Sequence, residues 1–204
     1  MKNGKFILVG SVIIIILFLK SIIPVSAHTL STKYAASRIV PGTILCQPNA
    51  SDWPQTNDWQ TVDDEYVNRN GNSTPIVAPC NITVRDYSVE AKMRTADSGN
   101  SFMGIFARLK LENNIGYKGG INASYDEANL YDLLNSLRAT VSLGSLDTYT
   151  VYSIKMQVVG TSVALYVNDK LMAKKHYTSA NDPGTVAIEC NSTCELLQFT
   201  VVAQ

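Results

Sequence analysis

The feature that most constrains this chain is a two-residue alternation of apolar and polar side chains, repeated in short runs that stop at turn residues. Tyr152, Ile154, Met156 and Val158 alternate with Ser153, Lys155 and Gln157, which puts one set on a buried sheet face and the other in water. The same device sets Tyr87, Val89, Ala91 and Met93 against Glu90, Lys92 and Arg94. Runs from Thr161 to Val167 and from Lys170 to Tyr177 flank Asn168-Asp169, two residues that tolerate positive φ and close a two-residue hairpin. Further strands are expected at Thr74 to Ala78, Phe102 to Leu109, Ile115 to Asn122, Gly184 to Cys190 and Glu195 to Val202. Short strands at this spacing predict an all-β sandwich. One stretch reads two ways. Ser124-Tyr125-Asp126-Glu127 has the form of a helix capping box, and Leu130, Leu133, Leu134 and Leu137 follow at helical spacing, yet a lone helix between sandwich strands needs apolar cover of its own.

The ends of the chain bear on its compartment. Lys2 and Lys5, the apolar run Phe6 to Leu19 and the small residues Val25-Ser26-Ala27 read as a signal peptide over residues 1–27, with an uncleaved N-terminal anchor as the rival. Residues 28–40 read as a linker and residues 41–204 as the sandwich domain. All four cysteines, Cys46, Cys80, Cys190 and Cys194, lie in that domain, and an even number in an exported chain implies disulfides. The expected pairs are Cys46–Cys80 and Cys190–Cys194, the latter enclosing only three residues. In a chain-entropy picture the long bridge contributes roughly 4 kcal/mol and the short one roughly 2. Balanced charge, 17 basic against 17 acidic side chains, argues against a nucleic-acid partner. With only two histidines, His28 and His176, His-based catalysis and multi-His metal sites have little material.

The succession Trp53, Trp59-Gln60-Thr61-Val62-Asp63-Asp64-Glu65-Tyr66, Asp86 to Arg94, Met103-Gly104-Ile105-Phe106-Ala107-Arg108, Tyr152 to Thr161, Tyr166-Val167-Asn168-Asp169 and Gly184 to Ile188 resembles the concanavalin A-like lectin/glucanase superfamily. It is especially similar to the laminin-G-like and 3-keto-disaccharide-hydrolase-like branches, over about Trp53 to Val202. The resemblance implies a two-sheet antiparallel jelly-roll sandwich whose concave sheet often binds glycans. Asp169 departs from it, since family hairpins often carry Gly after Asn.

Three functions are compatible with that frame. The first is an exported, non-catalytic module that binds carbohydrate or a cell-envelope polymer; the others are a glycoside hydrolase-like enzyme and a structural or adhesion domain. The E-x-D-x-x-E strand of the glucanase branch is absent, and Asp63-Asp64-Glu65 falls at a turn, which leaves only distant carboxylates such as Glu90 and Glu112 to supply the pair that hydrolysis needs. For binding, aromatic rings match the C–H faces of sugars and charged groups their hydroxyls. With Met103, Ile105, Ala107 and Leu109 inward, Phe102, Phe106 and Arg108 share the other face. Arg108, Phe106, Tyr117 and Glu90 are therefore the candidate binding residues. Arg108 has a second reading, as part of a cross-strand charge ladder with Glu90, Lys92 and Arg94. No cofactor is required; calcium is a candidate through Asp63, Asp64, Asp97 and Asn100.

Overall fold

The computed structural model describes residues 39–71, 73–95, 102–134, 137–178, 180 and 182–204. The signal or anchor segment, most of the linker, and Asp97 and Asn100 lie outside the described residues. Fourteen strands follow one another among those described: β1 (Ile44–Cys46), β2 (Trp59–Val62), β3 (Glu65–Asn68), β4 (Ile76–Val77), β5 (Tyr87–Thr95), β6 (Phe102–Lys110), β7 (Ile115–Asn122), β8 (Glu127–Asp132), β9 (Leu137–Ser142), β10 (Tyr152–Val159), β11 (Ser162–Val167), β12 (Lys170–His176), β13 (Thr185–Cys190) and β14 (Cys194–Ala203). They form the expected antiparallel sandwich. One sheet runs β12-β11-β10-β5-β14-β3-β2, with β1 also paired to β14; the other runs β4-β13-β6-β7-β8-β9.

The alternation is what closes the two layers on each other. Val89, Ala91 and Met93 of β5, Ile154, Met156 and Val158 of β10, and Phe199 and Val201 of β14 pack against Met103, Ile105 and Ala107 of β6, Ile121 of β7, Leu130 of β8 and Val186 and Ile188 of β13. The β11–β12 hairpin turns on Asn168 and Asp169, both at positive φ (49° and 61°), so Asp takes here the position that Gly fills elsewhere. Asp63 and Asp64 do the same between β2 and β3.

Both expected disulfides form, with Cα separations of 5.8 Å for Cys46–Cys80 and 6.6 Å for Cys190–Cys194. Each ties one sheet to the other. Cys46 ends β1 while Cys80 follows β4, and Cys190 ends β13 while Cys194 begins β14.

The stretch after Ser124 that reads two ways is a turn and then β8, the strand alternative: the Asn122 side-chain carbonyl accepts from the Ser124 N–H (3.1 Å) as an Asx turn, and Asp126 Oδ1 accepts from Leu146 N–H (2.9 Å). Leu130 enters the core, whereas Leu133 packs outside it against Phe106, Leu109 and Ala187. The expected phase of β6 breaks. Arg108 sits at φ 52° in a register shift between Ala107 and Lys110, so Leu109 turns outward beside Phe106 while Arg108 turns in. A β-bulge of this kind inserts one residue and reverses the faces beyond it. Gly184 (φ 60°) accepts the intrusion; a Cβ there would lie 2.6 Å from the Arg108 Cα.

Candidate functional site

The four sequence-derived candidates do not meet on one surface. Arg108 is 1% exposed. Its Nη1 donates to the carbonyls of Gly160 (2.7 Å) and Ala180 (3.0 Å), and its Nη2 donates to the Arg85 carbonyl (2.7 Å) and reaches the Asp86 carboxylate at 3.4 Å. It ties three loops together and offers none of these donors to a ligand. The ladder with Glu90 does not form, because β5 and β6 belong to different sheets. Tyr117 is fully buried, stacked on Tyr177 at 5.4 Å, with its hydroxyl donating to the Ala180 carbonyl (3.1 Å). Glu90 lies on the outer face of the eight-stranded sheet, accepting from the Ser153 hydroxyl (2.7 Å). Of the four, Phe106 alone belongs to the outer face of the six-stranded sheet.

That outer face carries an ordered polar array. Register places Ala187, Phe106, Lys118, Tyr131 and Arg138 in one row across β13, β6, β7, β8 and β9. The next row holds Glu189, Gly104, Gly120, Asn129 and Thr140. The adjacent glycines leave a trough that the Phe102 ring fills: a Cβ on Gly104 would lie 2.6 Å from Phe102 Cζ, and one on Gly120 2.7 Å from the same atom. Lys118 Nζ sits 4.2 Å from the Phe102 ring centroid and 5.6 Å from that of Phe106, and donates to Glu189 (2.7 Å). Ring faces attract ammonium groups, so the lysine is held from below by two rings and from the side by a carboxylate. Across the sheet the Arg138 guanidinium lies 5.6 Å from the Tyr131 ring centroid, donates through Nη2 to Glu127 (2.8 Å) and through Nε to Asn129 Oδ1 (2.7 Å). The Thr140 hydroxyl donates to the same oxygen (2.9 Å).

Sequence reasoning reached Phe102 and Phe106 but missed Asn129, Tyr131 and Arg138. The usable signal was the alternation Glu127-x-Asn129-x-Tyr131, masked by the leucines at helical spacing. The other carboxylates are placed apart. Glu90 faces outward from β5, while Glu112 lies in the turn after β6 of the other sheet, so the two do not share a face. Among the described residues no three His, Cys, Asp or Glu side chains converge as a metal site. A cleft of about 580 Å³ opens elsewhere, between residues 47–51 and the β14 bulge, lined by Trp53, Tyr66, Asp64 and Gln198. Its rings are buried, Trp53 at 3% and Tyr66 at 0% exposure, so the larger volume offers no open ring to stack on.

No known protein family matches the sequence, and no curated protein is similar to it in sequence. The likeness is one of fold. The carbohydrate-binding module CBM66 from Bacillus subtilis superposes with a TM-score of 0.62 at 15% identity, over 81% of this chain and 98% of that one. A galectin-like protein of unknown function from Bacillus subtilis gives 0.56 at 11% identity, over 80% and 97%. The GH43 protein BlXynB from Bacillus licheniformis gives 0.54 at 11% identity over 78% of this chain, which spans 39% of the length of that protein.

Proposed function

We propose that this chain is an exported, non-catalytic carbohydrate-binding module that holds a glycan or cell-envelope polymer on the outer face of its six-stranded sheet. The observation that carries the reading is the array Lys118–Glu189, Asn129, Thr140 and Arg138–Glu127 around Tyr131, which is fixed on regular strands before any ligand arrives. Preorganised polar groups beside an aromatic ring suit sugar hydroxyls and ring C–H faces. Glu189 and Glu127 hold Lys118 and Arg138 in place on this face. The likeness to a module named for carbohydrate binding supports the reading, and two disulfides support export.

The test is retention of the purified chain on a panel of immobilised polysaccharides. Arg138→Ala and Tyr131→Ala should each weaken retention about tenfold, in line with loss of a charge-assisted hydrogen bond or a stacking ring. Gln157→Ala, on the opposite sheet, should leave it unchanged. Wild-type chain retained by no polysaccharide sinks the reading, and release of reducing sugar removes the word non-catalytic.

A further inference from the structure

The outer face of the six-stranded sheet is wet on one half only. Towards β13 and β6, Ala187, Phe106, Phe102 and Glu189 are buried. Towards β8 and β9, Thr140 and Ser142 are exposed, the Arg138 side chain is 45% exposed, and Glu127 and Tyr131 are half-buried. What a ligand can touch is therefore a strip along two strands, not a row across five. Register orders it: Tyr131 beside Arg138, then Asn129 beside Thr140, then Glu127 beside Ser142. From the first pair to the last is four residues, about 13 Å at the rise of a strand.

Tyr125 extends the strip past its Glu127 end. It lies in the turn between β7 and β8, two residues before Glu127, and is 67% exposed. The turn is held from both sides. Tyr125 N–H donates to the Asn122 carbonyl (3.3 Å), and Asp126 accepts from Leu143 N–H through its carbonyl (2.8 Å) and from Leu146 N–H through Oδ1 (2.9 Å). These bonds fix the backbone that carries the ring and leave the ring in water. A tyrosine so placed offers contact area at a small cost in conformational entropy.

Between the two rings the strip has both kinds of polar group. Glu127 uses Oε2 for Arg138 and keeps Oε1 to accept; Arg138 uses Nε and Nη2 and keeps Nη1 to donate. The Thr140 hydroxyl donates to Asn129 and can still accept, and the Ser142 hydroxyl can do either. Sugar hydroxyls also donate and accept, so one sugar after another can be met along this line. We infer that the site takes a run of several consecutive sugar units of a linear glycan, laid along β8 and β9, with Tyr131 and Arg138 at one end and the Tyr125 ring stacked on a sugar at the other. Tyr125 and Tyr131 are six residues apart, at most about 20 Å, a span that one or two sugars do not fill. This rests on the carbohydrate-binding reading and adds to it the ligand's length and direction.

The experiment titrates the full chain with cello-, xylo-, manno-, laminari- and chito-oligosaccharides of two to six units. The expected result, in at least one series, is at least tenfold tighter binding of six units than of two. Tyr125→Ala should weaken six-unit binding at least fivefold with its thermal midpoint unchanged, and Tyr125→Phe, which keeps the ring, should bind as the wild type does. Equal affinity for two and six units overturns the inference but leaves the carbohydrate reading standing. So does a six-unit affinity that Tyr125→Ala leaves unchanged, or that Tyr125→Phe lowers as much. Binding of none of these oligomers overturns the inference, and the carbohydrate reading then stands or falls on retention by the polysaccharide panel.

Discussion

The two outer faces of the sandwich come from the same alternation and differ in how their polar side chains are held. On the six-stranded sheet the cations rest on rings and pair with carboxylates that are themselves largely buried, Glu189 at 7% exposure. On the eight-stranded sheet Ser153 meets Glu90 (2.7 Å), Lys155 meets Asp169 (2.8 Å), and Gln157 meets Gln204 (2.6 Å), which in turn reaches Ser88 (3.0 Å). These are side-by-side contacts among flexible chains. Lys155 Nζ does lie 5.2 Å from the Tyr166 ring centroid, but its carboxylate partner is 81% exposed. The difference teaches that polar groups on a wet sheet face hold one arrangement, as the proposed binding surface needs, when something beneath them fixes them. Here glycines and a phenylalanine do so.

The largest effect should come from removing that foundation. Gly120→Ala puts a methyl group 2.2 Å from the Met103 carbonyl oxygen and 2.7 Å from the Gly104 Cα and Phe102 Cζ, and overpacking of this kind costs about 2–3 kcal/mol. Ser88→Ala on the other face should change stability by less than about 0.5 kcal/mol. Urea unfolding compares them, and equal midpoints would show that β6, β7 and the ring do not meet as closely as described.

A smaller effect should follow from unpairing a cation on each face. Lys118→Met strands Glu189 and should cost about 2 kcal/mol, a buried-pair cost discounted for the partial exposure of the lysine. Replacing Glu189 by Met as well should recover most of it. Failure of the double variant to recover would mean that the loss lies in the ring contacts instead of the ion pair.

The smallest effect belongs to Lys155 and Asp169. The hydrogen bond from Lys155 holds the Asp169 carboxyl below its ordinary value of 3.8, and holds the Lys155 ammonium above its own. For the carboxyl the folded-state value lies below the unfolded one, so the contribution is present above pH 3.8 and fades as pH falls through the lower, folded-state value. Lys155→Met should raise the Asp169 midpoint in an NMR titration while leaving the unfolding midpoint in place, as exposed pairs do. A clear drop in that midpoint would make the faces more alike than described.

Much of the fold was legible in the residues, and the site much less so. Alternation in β5 and β10, the Asn168-Asp169 turn and the four cysteines are local signals: side-chain period, tolerance of positive φ and a parity count. They pointed to β5, β10 and the hairpin without knowledge of neighbours, and to two bridges, whose pairing was favoured among three because Cys190 and Cys194 enclose only three residues. The tertiary structure decided the rest. Alternation says which residues share a face but not which strand lies alongside, so Arg108 and Glu90 looked like neighbours across a ladder until β5 and β6 took opposite sheets. One residue at a bulge reversed Arg108 and Leu109, because phase along a strand survives only while every residue is paired. Asn129, Tyr131 and Arg138 stayed hidden for a related reason: Leu130, Leu133, Leu134 and Leu137 satisfy a helical period locally, and only pairing of β8 between β7 and β9 buries Leu130 on one side and turns Asn129 to the other.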